Sequence, residues 1–145
     1  MSVKMIHTVG VYLVANAGPS ARKLRKSLKA AACLALFQRV RAGQEEVTTC
    51  EAIITEVVYV FSSRTLYNLA AQDIRARLLP VLTLQNFQLP QKAVYLRALE
   101  RYEMYPALDF EDVLSVAHME ETGVLELLSD DRDFDRIQGI TRQEP

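Results

Sequence analysis

Cysteine is scarce in this chain of 145 residues. Cys33 and Cys50 are too few for a disulfide scaffold or a thiolate zinc site, and the sequence reads as that of a protein in a reducing cytoplasm rather than an exported one. No apolar run approaches the ~18 residues that a membrane span requires. A glycine-rich phosphate loop, a nucleophile elbow and Cys/His zinc spacing are all missing, so any enzyme chemistry must run through carboxylates and a metal. Acid is missing from the front: residues 1–44 hold eight basic side chains and no Asp or Glu, leaving nine basic against eighteen acidic side chains, a net −9, in 45–145. The overall charge of −1 conceals that polarity. It fits either nucleic-acid contact at the basic end or one solvated basic helix.

What is present is ordinary globular composition, 50% hydrophobic and 24% charged. A chain of this size buries roughly 70% of its unfolded surface, enough to fold as a single domain, 1–145, without a disulfide or metal.

The apolar run Val9–Val14 predicts a buried first strand, although Lys4, that run and Ala15-Asn16-Ala17 together imitate a weak secretory signal. Gly18-Pro19-Ser20 is a turn, with Ser20 placed to cap a helix. Leu24, Leu28, Ala31 and Ala35, then Phe37 and Val40, predict an amphipathic helix with a basic outer face that stops near Gly43. Residues 46–49 suit a small strand, and Thr48 with Glu51 is a capping-box pattern for a second helix. That helix carries Ile53, Ile54, Val57, Val58, Val60 and Phe61, apolar around most of its girth, and is expected to be largely buried.

A third helix is expected from Asn68 to about Leu79, ended by Pro80, and a fourth opens at Leu89-Pro90-Gln91 and carries Val94, Tyr95, Ala98, Leu99 and Tyr102. Asp109 caps a fifth that stops at Gly123. Val124–Leu128 is read as a buried strand running into a cluster of aspartates. Strands alternating with helices, with polar chemistry at strand ends, give an α/β class: a parallel β-sheet flanked by helices, its site beyond the carboxyl ends of the strands.

Glu56 has Ala52, Ile53, Tyr59 and Val60 as helical neighbours, all apolar or aromatic. A carboxylate buried among them needs a reason: a salt bridge, a position at the sheet edge, or a metal or catalytic role. Asp112, three residues after the Asp109 cap, is well placed for the helix dipole alone. Asp130, Asp131, Asp133 and Asp135 lie within six residues and repel one another unless the turn is solvated or something cationic compensates. Together Glu56, Asp112, Asp131 and Asp133 supply the hard oxygen ligands that Mg²⁺, or Mn²⁺, prefers. His118 reads as a partly buried helix residue rather than a base, and His7 has no evident partner.

Residues 48–61, Leu108-Asp109-Phe110-Glu111-Asp112-Val113-Leu114, and 126–137 with their Ser129-Asp130-Asp131-Arg132-Asp133-Phe134 core resemble a PIN-domain ribonuclease of the VapC toxin type. The likeness runs from about Ala35 onward. It implies an α/β/α sandwich, a divalent-metal acidic site, endonucleolytic cleavage of RNA and pairing with a small antitoxin protein, and leaves room for a homodimer. Glu56, Asp112, Asp131 and Asp133 fall on the family's acidic residues, as metal ligands and as catalytic groups. Arg22, Lys23, Arg25 and Lys26 would hold the RNA backbone. The front departs from the family: where its first strand ends in an aspartate, this chain has Val14-Ala15-Asn16, and no acid precedes Glu45. One metal-bridging carboxylate is therefore missing, and a PIN-like module that binds RNA or antitoxin without turnover is the competing reading.

Overall fold

The computed structural model describes residues 2–7 and 28–145. The Val9–Val14 strand, the Gly18-Pro19-Ser20 turn, Ala15 and the cations Arg22, Lys23, Arg25 and Lys26 lie outside the described residues. The chain groups into two compact units, Met1–Lys92 and Ala93–Pro145.

In the first unit, strands β1 (Val3–Met5), β2 (Glu46–Thr48) and β3 (Phe87–Gln88) form a sheet in that order, and both pairings are parallel. Neither β1 nor β3 is legible from alternation, since each is only two or three residues long. Parallel strands require crossovers, and helices supply them. Helix α1 (Leu28–Arg41) precedes β2, while α2 (Glu51–Ser62) and α3 (Ala71–Leu82) connect β2 to β3. The Glu45 carboxylate accepts from Arg39 Nε at 2.8 Å and Lys4 Nζ at 3.4 Å, tying the end of α1 to β1. Its hydrogen bond with Arg39 holds that carboxyl below the ordinary range. The buried Thr49 hydroxyl donates to the Ile6 carbonyl at 2.8 Å and extends the junction.

The buried face of α1 is Ala30, Cys33, Phe37 and Val40, displaced from the expected stripe: Ala31 is exposed and Ala35 half-buried. Phe37 and Val40 decide the face, because burying such side chains is worth about 1.5–3 kcal/mol each, against much less for an alanine. Phe37 stacks on Phe87 of β3, ring centroids 6.3 Å apart.

Helix α2 buries only Ile54, Val57, Val58 and Phe61 and leaves Ala52, Glu56 and Tyr59 in solvent. The expected Thr48–Glu51 capping box does not form: Thr48 ends β2, and Cys50 takes the N-cap without a side-chain bond. Helix α3 begins at Ala71 rather than Asn68, whose φ of +49° is left-handed, and it retains Pro80 before closing at Leu82. Only the last turn follows that proline, and Thr83 N–H still reaches the Leu79 carbonyl at 3.0 Å.

In the second unit, α4 (Lys92–Met104, mostly within it) and α5 (Phe110–Thr122) are followed by β4 (Glu126–Leu128), a 3₁₀ turn at Arg132–Arg136 and β5 (Thr141–Gln143), which pairs with β4 in parallel. The expected α4 residues Val94, Tyr95, Ala98 and Leu99 are buried, and Phe110 of α5 meets Tyr95 and Tyr102 at centroid distances of 6.3 and 5.7 Å. Gly123 ends α5 at φ +74°, a left-handed C-cap that costs glycine little. The strand after it corrects the sequence reading. Leu125 and Leu128 are 61% and 68% exposed, so the strand exists but is not buried. The fold class is as expected: α/β, every strand pair parallel, with five α-helices among the described residues.

Candidate active site

Asp112 stands in the first turn of α5, half-buried. Asp109 caps that helix by accepting from Asp112 N–H at 2.9 Å, and Asp112 Oδ2 accepts from Asp109 N–H at 3.3 Å. This reciprocal arrangement is a capping box with aspartate in the place usually taken by Glu or Gln, and it fixes the Asp112 side chain over the helix start. Burial, followed by repulsion from Asp109 and a smaller repulsion from Asp131, pushes the Asp112 carboxyl up to about 6. Desolvation and like charge act in the same direction, and the hydrogen bond from Asp109 N–H offsets only part of them.

Asp131 caps the 3₁₀ turn: its Oδ1 accepts from Asp133 N–H at 2.8 Å, and its own N–H donates to Ser129 Oγ at 3.1 Å. Asp133 pairs with Arg136 at 3.6 Å. Asp135 receives both Nε and Nη2 of Arg142, at 2.8 and 3.3 Å, and its carboxyl is held below the ordinary range by that hydrogen bond. The crowding of four aspartates is thus relieved from within. Arg136 and Arg142 each pair with one of the four and the Asp133 N–H caps Asp131, while Asp131 still acts on Asp112.

Glu56 belongs to the other unit and is exposed on α2. It is not enclosed by buried apolar neighbours as expected, because Ala52 and Tyr59 share its solvent face, Tyr59 being 66% exposed. His118 is half-buried as expected, and His7 is exposed. Among the described residues, no group of three or more His, Cys, Asp or Glu side chains stands close enough to hold a metal ion. Two carboxylates still fit a Mg²⁺ site, since that ion keeps several waters and is commonly bound through one or two carboxylates plus substrate phosphate.

A separate cleft of about 430 Å³ opens in the first unit beyond the carboxyl ends of β2 and β3, lined by Thr48, Gln85, Phe87, Gln88, Leu89, Pro90 and Lys92. It contains none of the four acids. Lys92 donates to the Phe87 carbonyl, and burial lowers the proton affinity of its ammonium.

Sequence reasoning misses Arg142 and the partnership of Asp109 with Asp112. The Asp109–Asp112 spacing is visible in the sequence, but it reads there as a cap and a dipole charge separately. Arg142 depends on the parallel register that sets it opposite Leu127, which no local pattern encodes.

No curated protein matches the chain. The PIN domain model matches residues 11–140, well over half its length, and PIN domains are in general metal-dependent nucleases. Parallel strands among helices agree with that match: the chain belongs to the PIN-domain family.

Proposed function

We propose that this protein is a Mg²⁺-dependent endoribonuclease of the toxin type, acting in the cytoplasm and held in check by a small antitoxin protein. The observation that carries the reading is Asp112: an acid whose charge is opposed by burial, Asp109 and Asp131 is a group for which a cation is the natural counterpart. Asp112 and Asp131 would hold the ion, and Asp133, two residues along the same turn from Asp131, would take its outer waters; Mn²⁺ would substitute. A bound ion of this kind supplies an activated water and neutralises charge developing on the phosphate. The family resemblance supports a role for Glu56, whose carboxylate would orient a water or accept its proton. Arg22, Lys23, Arg25 and Lys26 neutralise phosphates of the RNA strand and keep it in register.

A specific feature favours a second reading. No acid precedes Glu45, and Ala15 occupies the region where the family's first-strand aspartate is expected, so a module that binds RNA or antitoxin without cutting is the competitor. Incubating the chain with single-stranded RNA, with Mg²⁺ and with chelator, separates them. Mg²⁺-dependent cleavage that Asp112→Asn abolishes supports the nuclease. Cleavage appearing only in Ala15→Asp supports the impaired copy, and none in either protein leaves the binding module.

A further inference from the structure

Arg142 of β5 binds the acidic turn at both of its ends, although it is not itself an acid. Its side chain is only 9% exposed. Nε and Nη2 grip the two oxygens of Asp135, and Nη1 donates to the Ser129 carbonyl at 2.8 Å, thirteen residues back along the chain. A weaker bond from Nη1 to Glu144 Oε1 at 3.5 Å completes the set. Ser129 and Asp135 are the two ends of the turn that carries Asp131 and Asp133. One planar guanidinium therefore closes that turn, and the β4–β5 ladder adds Ser129 N–H to the Gln143 carbonyl at 3.0 Å. Inside the closure the bonds run in sequence: Ser129 Oγ accepts from Asp131 N–H, and Asp131 Oδ1 accepts from Asp133 N–H.

Resting on the nuclease reading above, we infer that Arg142 is a positioning residue for the metal-holding acids. It acts through Asp135 and Ser129 to set Asp131 and Asp133 before any ion binds. Two physical effects combine. The fork neutralises one of the four aspartates, so the turn closes without a metal to compensate its charge. It also fixes both ends of the turn, so an arriving cation meets oxygens already ordered and does not have to order them. Lysine cannot perform both tasks, because an ammonium is a point charge without the planar fork that spans two carboxylate oxygens and a carbonyl together.

The test is Mn²⁺ binding to the full chain, read by the loss of free-ion electron paramagnetic resonance signal, alongside thermal unfolding and RNA-cleavage kinetics. Arg142→Gln should bind Mn²⁺ roughly tenfold or more weakly, the effect typical of losing a residue that orients metal ligands. Its kcat should fall with KM for RNA little changed. Arg142→Lys should recover most of the thermal stability but not the Mn²⁺ affinity. Asp135→Asn keeps the bond to Ser129, carries the test should Arg142→Gln fail to fold, and should lie between wild type and Arg142→Gln. Equal Mn²⁺ affinity in the wild type and the folded variants would overturn the positioning role and leave the nuclease reading intact. A wild-type chain that takes up no Mn²⁺ would overturn the metal site itself and the role of Arg142 with it.

Discussion

Asp109 and Asp112 each accept the other's backbone N–H across the first turn of α5, so two carboxylates that repel are held together by the helix start they jointly cap. The local gain is a satisfied helix terminus. The local cost is a carboxyl at Asp112 raised to about 6.

That cost has a definite pH signature. Folded Asp112 binds its proton up to about pH 6, whereas the unfolded residue releases it near 3.8. Between those values the folded state holds more protons, so stability falls as pH rises through the window and stays reduced above it. Asp112→Asn keeps an acceptor for Asp109 N–H and removes the charge. It should be more stable than the parent above pH 6, by about 1 kcal/mol once solvent screening of a half-buried group is allowed for, with the difference vanishing below pH 4. Thermal unfolding across that range checks this, and a variant no more stable at neutral pH would contradict it.

Asp109 offers a control on the cause. Asp109→Asn preserves the cap and deletes the nearer of the two repelling charges, so the Asp112 carboxyl should titrate closer to its ordinary value, as followed by carboxyl-carbon NMR. Asp109→Ala should in addition lose about 1 kcal/mol of stability with the cap. An unmoved Asp112 in Asp109→Asn would leave burial, with the smaller repulsion from Asp131, as the source of the shift.

Exposure makes Glu56 easy to test. Glu56→Gln should change stability by less than about 0.5 kcal/mol, as for most surface substitutions, while RNA cleavage falls at least tenfold. Full cleavage by a normally stable Glu56→Gln protein would remove Glu56 from the site.

The basic front segment should govern the salt dependence of RNA binding. Replacing Arg22, Lys23, Arg25 and Lys26 with glutamine should flatten the slope of log affinity against log salt by about 0.7 for each phosphate of a single strand that is no longer neutralised. Fluorescence anisotropy at several salt concentrations measures that slope. No change would mean that these side chains neutralise no phosphate.

Much of the second unit is legible in the sequence. The Asp109 cap, the Gly123 stop and the Val94, Tyr95, Ala98 and Leu99 face are local signals, each set within a few residues, and local signals are what a sequence displays directly. Errors arise where burial depends on partners distant in the chain. Val124–Leu128 has the composition of a core strand but is largely exposed among the described residues, and Glu56 has apolar helical neighbours of which Ala52 and Tyr59 themselves face solvent. Strands of two and three residues have too few positions for alternation to show, which hides β1 and β3. At the site, sequence identifies the crowded aspartates and anticipates a compensating cation, but it cannot locate Arg136 and Arg142, whose roles are set by turn and register.

A divalent ion held by Asp112 and its acidic neighbours must act on the Asp112 carboxyl itself. The most direct measurement is the Asp112 carboxyl titration by NMR, with and without saturating Mg²⁺, on the RNA-free chain. The expected result is a midpoint of about 6 without the ion and a shift to the ordinary carboxylate range or below with it, because an opposite charge at the carboxylate favours its ionised form. A midpoint that Mg²⁺ leaves in place would contradict a metal site at Asp112.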